Sequence, residues 1–177
     1  IAIIITIMVL ELRAPEGSDF LAIKPLLPTL LSYLLSFVYL AIYWSNHHHL
    51  LHAAKRINGA ILWANTHLLF WLSLVPFATA WQDQNHRAAW PTAVYGSVLL
   101  MAAFAYFILQ NLLIASEGKG SALALAIGRD RKGKLSLVCY AAAIALAFMR
   151  PWLSHALYVF VALLWVIPDT RIEKIVP

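Results

Sequence analysis

The chain has 177 residues, of which 62% are hydrophobic and 12% are charged. Soluble domains carry about a quarter charged residues, so this composition excludes an ordinary soluble domain and indicates a protein that lies in a lipid bilayer. The net charge is +5, but the basic residues lie in short gaps between apolar runs, which is typical of membrane topology and not of a nucleic-acid-binding surface.

Six apolar runs predict six transmembrane helices. The first run, residues 1–12, is shorter than the roughly 20 residues that cross a bilayer, and it lacks the charged start of a signal peptide. We therefore expect the first helix to begin before Ile1, so that the sequence holds it truncated at its N-terminus. The other runs predict helices at residues 29–45, 60–81, 91–116, 135–149 and 153–167.

Prolines and loop residues punctuate this pattern. Pro76 is expected to kink the third helix, with Phe77 and Thr79 packed around the kink, and Pro91 suits the first turn of the fourth. The basic stretch "EGKGSALALAIGRDRKGK" predicts a loop with one helical turn in "SALALAI". Because the chain has no internal repeat, residues 1–177 are predicted to form a single six-helix transmembrane domain of the all-α class.

The distribution of lysine and arginine predicts the orientation. The gaps after the second and fourth helices and the C-terminal tail hold nine basic residues: Lys55, Arg56, Lys119, Arg129, Arg131, Lys132, Lys134, Arg171 and Lys174. The opposite side holds four: Arg13, Lys24, Arg87 and Arg150. Because cytoplasmic loops are rich in lysine and arginine, both termini are predicted to be cytoplasmic. The tryptophans agree in part with this arrangement, because four of them lie near predicted helix ends, as interfacial anchors do: Trp44, Trp81, Trp90 and Trp152.

The stretch "HHHLLH" raises the question of a metal site. His48 and His52 are one helical turn apart, a spacing that can hold a metal ion, but His67, His86 and His155 do not form a second histidine cluster. Cys139 is the only cysteine, so it offers no cysteine-based zinc site. The pattern favours polar histidines at a cytoplasmic helix end, where the negative end of the helix dipole stabilises positive charge.

Polar residues inside the third helix allow two interpretations. Asn65, Thr66 and His67 interrupt an apolar run, and intramembrane polar groups usually face protein or water. Asn65 either bonds a neighbouring helix as a packing contact or takes part in function.

The first helix carries one apolar stripe with a hydroxyl in it. Residues three, four and seven apart share a helix face, so Ile3, Thr6, Ile7 and Leu10 form the stripe. On a helix in a subunit core the stripe is ordinary packing, with the Thr6 hydroxyl bonded to a carbonyl one turn earlier. Around an oligomer axis the same stripe would form stacked apolar and hydroxyl rings, which can gate by dewetting and coordinate a cation. Spacing alone favours packing.

The segments "AIIITIMVLELRAPEG" and "YWSNHHHLLHAAKRINGAILWANTHLLFWLSLVPFATAW" resemble the transmembrane protein 175 family of potassium channels. The family's hallmark motif, Arg-x-x-x-Phe-Ser-Asp on the first helix, would lie just before Ile1 and is absent from the sequence. The resemblance implies a homotetramer in which the first helix of each subunit lines a central pore.

The resemblance also implies residue roles. Ile3 would form the narrowest ring, Thr6 would contribute to potassium selectivity, Ile7 would line the pore, and Leu10 would form a further apolar ring. The pore helix would be supported by three residues on neighbouring helices: Trp44, His47 and Asn65.

The sequence therefore predicts a potassium-preferring, weakly selective cation channel in a prokaryotic plasma membrane. It would be passive, without catalysis or a cofactor, and its partners would be itself, the bilayer and the permeant K⁺. The alternatives are a secondary transporter, for which no good intramembrane charged coupling site is found, and a metal-dependent membrane enzyme that uses the histidine cluster.

Overall fold

The computed structural model describes residues 1–12, 14–15, 17–85, 87–118, 120–128 and 130–166, and these residues form helices and connecting turns. Eight α-helices follow one another: α1 Ala2–Met8, α2 Leu27–His52, α3 Gly59–Ser73, α4 Val75–Gln84, α5 Ala89–Glu117, α6 Ala122–Ile127, α7 Arg131–Ala147 and α8 Pro151–Val166. Two 3₁₀ helices, Val9–Glu11 and Phe20–Leu26, follow α1 and precede α2.

Three stretches are long and apolar enough to cross a membrane: Leu21–His52, Gly59–Gln84 and Ala89–Glu117. The second of these, Gly59–Gln84, combines α3 and α4, and α8 is a shorter apolar helix. Each of the six predicted runs corresponds to helix in the structure. The predicted end of the last run at residue 167 lies outside the described residues, as do His86 and five of the basic residues used for orientation: Arg13, Lys119, Arg129, Arg171 and Lys174.

The break between α3 and α4 confirms the kink that Pro76 predicts. α3 ends at Ser73, and Pro76 lies in the first turn of α4, where its missing N–H does no harm. Thr79 is buried next to this break, as expected, but Phe77 is 61% exposed. The expectation that Phe77 packs around the kink is therefore wrong, because α4 turns this side chain outward from the subunit.

The second helix is longer than predicted. α2 continues to His52, so the histidine cluster is helical, and Trp44 lies two turns before the helix end. Polar residues suggested a loop after Ser45, but the stretch contains no glycine or proline that would end the helix.

The helix α5 lies at the centre of the packing, in contact with α3, α4, α7 and α8. Its buried alanines and leucines are Ala93, Leu99, Ala102, Ala105, Leu109 and Leu113. α1 packs on α2 and α4 at the edge of this core.

Hydrogen bonds join helix ends at both ends of the bundle. The Glu117 carboxylate at the end of α5 accepts from the backbone N–H groups of Lys55 and Arg56, at 2.7 and 3.1 Å. At the other end, the Thr29 hydroxyl near the start of α2 donates to the Asp83 carboxylate of α4 at 2.8 Å. The α2–α3 loop and the C-terminal end of α5 therefore lie at the same end of the subunit.

Candidate pore helix and its bracing contacts

The helix α1 has one buried and one exposed face. Met8 is only 1% exposed, and Ile1, Ile4 and Ile5 pack against the same core. Because a seven-residue helix is too short to be stable by itself, this apolar face is what holds α1 on α2 and α4.

The opposite face carries the predicted stripe. Ile3 is 74% exposed, Leu10 is 77% exposed, and Thr6 and Ile7 are also exposed. The stripe is therefore not part of the core of its own subunit. It faces lipid, another protein surface or a water-filled space.

Ile7 and Leu10 depart from the regular stripe. Ile7 also borders a groove of about 620 Å³ between α1 and the α3–α4 break, so it lies at the margin of the exposed face. Leu10 lies in the 3₁₀ turn Val9–Glu11, where the backbone winds more tightly than in an α-helix. The α-helical spacing that placed Leu10 on the stripe therefore ends at Met8, although its side chain still points outward.

The Thr6 hydroxyl bonds back to its own helix. Its Oγ1 donates to the carbonyl oxygen of Ile3 at 2.8 Å. A hydroxyl has one proton and two lone pairs, so this bond uses the donor and leaves acceptor capacity directed away from the helix. Because Thr6 is exposed, an oxygen able to accept a bond or contact a cation remains on the outer face of α1.

Asn65 makes a hydrogen bond to a neighbouring helix. Its Oδ1 lies 2.6 Å from Nε2 of His47 on α2. An amide oxygen only accepts, so this pairing assigns the proton to Nε2 of His47. The two residues after Asn65 bond within α3: Thr66 Oγ1 donates to Leu62 O, and His67 Nε2 accepts from Trp71 Nε1.

Trp44 is separate from the His47–Asn65 pair. It is half-exposed and stacks on His48, with ring centroids 5.7 Å apart and planes 14° apart. His48 in turn lies near His52, at a centroid distance of 5.1 Å. Within the ranges that the structure describes, histidine, cysteine, aspartate and glutamate side chains do not gather in threes or more where they could hold a metal ion.

A polar network that was not predicted from the sequence lies inside the bundle. Thr79 donates to Ser36 at 2.8 Å, and Ser36 shares a hydrogen bond of 2.9 Å with Tyr95. Beside it, Nε2 of Gln82 lies 2.8 Å from Nε2 of His155. These residues are far apart in the sequence, and their only signal was that each is a polar residue inside an apolar run.

Comparisons with known proteins relate this geometry to channels. The family model described as endosomal/lysosomal potassium channel TMEM175 matches residues 1–76, which include α1, His47 and Asn65. A potassium channel from Chryseobacterium sp. (strain P1-3) is 52% identical over 174 residues, covering 98% of this chain and 91% of the relative. A potassium channel from Chamaesiphon minutus is 27% identical over 168 residues, covering 86% of this chain and 81% of the relative.

One solved structure has the same fold. The crystal structure of a lysosomal potassium-selective channel TMEM175 homolog from Chamaesiphon minutus matches with a TM-score of 0.78 at 24% sequence identity. The match covers 95% of this chain and 91% of that chain. The all-helical arrangement described above is therefore the fold of that protein.

Proposed function

Because the chain belongs to the TMEM175 family of potassium channels, we propose that four copies surround a pore lined by α1. The protein is a multi-pass membrane channel for K⁺ and not an enzyme. Each subunit crosses the membrane six times in this proposal, with α3 and α4 forming one kinked crossing and with α1, α2, α5, α7 and α8 forming the others.

One observation carries the proposed pore. α1 buries one face in its own subunit and leaves Ile3 and Thr6 exposed on the other, and Leu10 is exposed in the 3₁₀ turn that follows. A face directed only at lipid has no use for the Thr6 oxygen, whereas four such faces around an axis would place four oxygens in a pore.

The apolar rings and the hydroxyl ring have different roles in this proposal. Ile3 would form the main constriction and Leu10 a second one, because an apolar ring gates by excluding water. Thr6 would lie between them and supply oxygens that replace part of the hydration shell of K⁺. Ile7 would line the pore at the side nearest α4.

The hydrogen bond between α2 and α3 supports a bracing role. His47 and Asn65 join two helices at 2.6 Å inside an apolar bundle, where an unpaired polar group is costly. We propose that this pair, together with Trp44, supports the pore helix α1.

The proposed orientation places both termini in the cytoplasm of a prokaryotic cell, with the channel in the plasma membrane. Contacts of Glu117 with the backbone of Lys55 and Arg56 support it, because they bring two of the basic segments to one end of the subunit. Gly120→Cys, in open space, should react with a membrane-impermeant thiol reagent from inside, and Asn85→Cys from outside. The reverse labelling would contradict the orientation.

The pore is tested in planar bilayers with purified protein, K⁺ on one side and Na⁺ on the other. We expect a tetramer in native mass spectrometry, currents that do not saturate like carrier flux, and a reversal potential that shows preference for K⁺. Saturable flux would contradict a channel, and a stoichiometry other than four would contradict the proposed tetramer.

A further inference from the structure

A small cavity away from α1 has a largely aromatic wall. It lies between α2, α5, α7 and α8 and has a volume of about 50 Å³. Since about 10–15 Å³ of such space admits one water molecule, there is room for several waters or for one small ligand group. Six aromatic residues border it: Tyr39, Tyr43, Tyr106, Phe107, Tyr140 and Trp165.

A carboxylate borders the same cavity. Asp130 caps the N-terminus of α7 and lies in the left-handed backbone region, at φ 38°. Its Oδ1 accepts from the backbone N–H of Gly133 at 3.0 Å. Its Oδ2 accepts from Nε2 of Gln110 at 3.2 Å. Both donors are neutral, so they fix the position of the carboxylate without cancelling its charge.

The local backbone is adapted to this placement. A Cβ atom at Gly133 would lie 2.4 Å from the Asp130 Oδ2, so only glycine lets the carboxylate lie over this turn. The Trp165 ring is also held in place, because its Nε1 donates to Ser136 Oγ at 2.8 Å. Both groups are therefore positioned before any ligand binds.

The aromatic rings favour a cation. The face of an aromatic ring carries negative potential, and tryptophan is the best of the rings for this contact. The protein already uses Trp165 in this way, because the Lys132 Nζ lies 5.9 Å from the centroid of its ring. Lys132 is not among the residues that border the cavity.

We propose that this cavity binds an organic ammonium group of the choline or alkylammonium class. Aromatic rings with one carboxylate suit a weakly hydrated organic cation, whereas a metal ion would need a shell of oxygen ligands. The group could belong to a free solute or to the headgroup of a lipid, since both present the same chemistry. This site is separate from the proposed pore and does not depend on conduction.

The test compares choline with 3,3-dimethylbutan-1-ol, which has the same shape without the charge. Binding to the detergent-purified full chain is followed by titration calorimetry and by thermal shift, with KCl used to match the ionic strength. We expect choline to bind at least about tenfold more tightly than the neutral alcohol. Equal binding of the two compounds, or no binding of choline, would overturn the proposal.

Variants separate the charge from the rings. Asp130→Asn keeps an oxygen for Gly133 and removes the charge, and we expect choline affinity to fall about tenfold. Glu117→Gln removes the same charge outside the cavity and should leave affinity unchanged. Tyr43→Leu should weaken choline binding severalfold and Tyr43→Phe should preserve it. Unchanged affinity in both Asp130→Asn and Tyr43→Leu would overturn the site.

Nanodiscs of defined composition identify the source of the group. If added choline binds in phosphatidylglycerol nanodiscs but not in phosphatidylcholine nanodiscs, the lipid headgroup already occupies the cavity. Equal choline binding in both supports a soluble ammonium compound. Loss of choline binding in both would overturn the proposal.

Discussion

The outer face of α1 and the interior of the bundle reverse the burial pattern of a soluble protein. α1 exposes Ile3 and Ile7, whereas the interior buries the hydroxyls of Ser36, Thr79 and Tyr95 in one hydrogen-bonded chain. In lipid, apolar exposure costs little and an unpaired hydroxyl costs more. The interior is therefore specified by polar contacts and close approach, while the face of α1 can accept either lipid or another subunit.

The largest effect is expected where the interior is most tightly packed. A Cβ atom at Gly96 of α5 would lie 2.1 Å from the Tyr158 hydroxyl oxygen, and that hydroxyl donates to Thr92 O at 3.0 Å. Tyr158 is fully buried and cannot move aside. Gly96→Ala should therefore lower stability by about 1–3 kcal/mol, the cost of overpacking a core, measured by thermal unfolding in detergent.

Gly59 supplies the matched control for this interior site. It begins α3, and a Cβ atom there would meet nothing within 4 Å. Gly59→Ala should stay within about 0.5 kcal/mol of the parent protein. If both alanine variants unfold at the same temperature, the close packing of Tyr158 against Gly96 does not stabilise the interior.

The face of α1 is tested by making it polar. Ile3→Asn should increase current in both directions, because a polar ring holds water where an apolar ring excludes it. Bilayer recording on tetramers of confirmed size measures this. Leu62→Asn, on an exposed position of α3, should leave the current unchanged. An unchanged or smaller current in Ile3→Asn would place the constriction elsewhere on α1.

A smaller effect is expected at the contact between α2 and α3. Asn65→Leu removes the acceptor of the His47 ring N–H, and such interhelical bonds contribute on the order of 1 kcal/mol in a membrane interior. The tetramer should dissociate at a lower temperature with K⁺ preference unchanged. Thr66→Val is the control, because Thr66 bonds only within α3. Equal heat stability of Asn65→Leu and the parent would contradict the bracing role.

The sequence predicted the apolar elements better than the contacts between them. Hydropathy located all six runs, and Pro76 marked the kink, because both are local properties of the chain. The end of α2 was missed since histidines neither favour nor forbid a helix strongly. The bond from Ser36 to Thr79 was missed because its partners are 43 residues apart, and only the packing of α2 on α4 brings them together.

The candidate pore residues show the same limit. Periodicity placed Ile3 and Thr6 on one face, and spacing alone favoured packing, but the structure shows this face exposed in the subunit. Periodicity could not show that the helix tightens after Met8, because the 3₁₀ turn at Leu10 has no signature in an apolar run. Whether the exposed face meets lipid or another subunit is a property of the assembly, which the helix pattern of one chain does not contain.

The smallest effect is expected at Thr6, which has the only side-chain oxygen in residues 3–10. Thr6 donates its proton to the Ile3 carbonyl, so lone pairs are left to contact a cation. Valine has nearly the same shape without the oxygen, so Thr6→Val should keep the tetramer. We expect the preference for K⁺ over Na⁺ to fall about threefold, which corresponds to about 0.6 kcal/mol shared among four hydroxyls. The shift in reversal potential between K⁺ and Na⁺ solutions measures it. Thr6→Ser keeps the oxygen and should preserve the preference. If Thr6→Val leaves the reversal potential unchanged, the Thr6 hydroxyl only bonds within its own helix and does not contribute to the preference for K⁺.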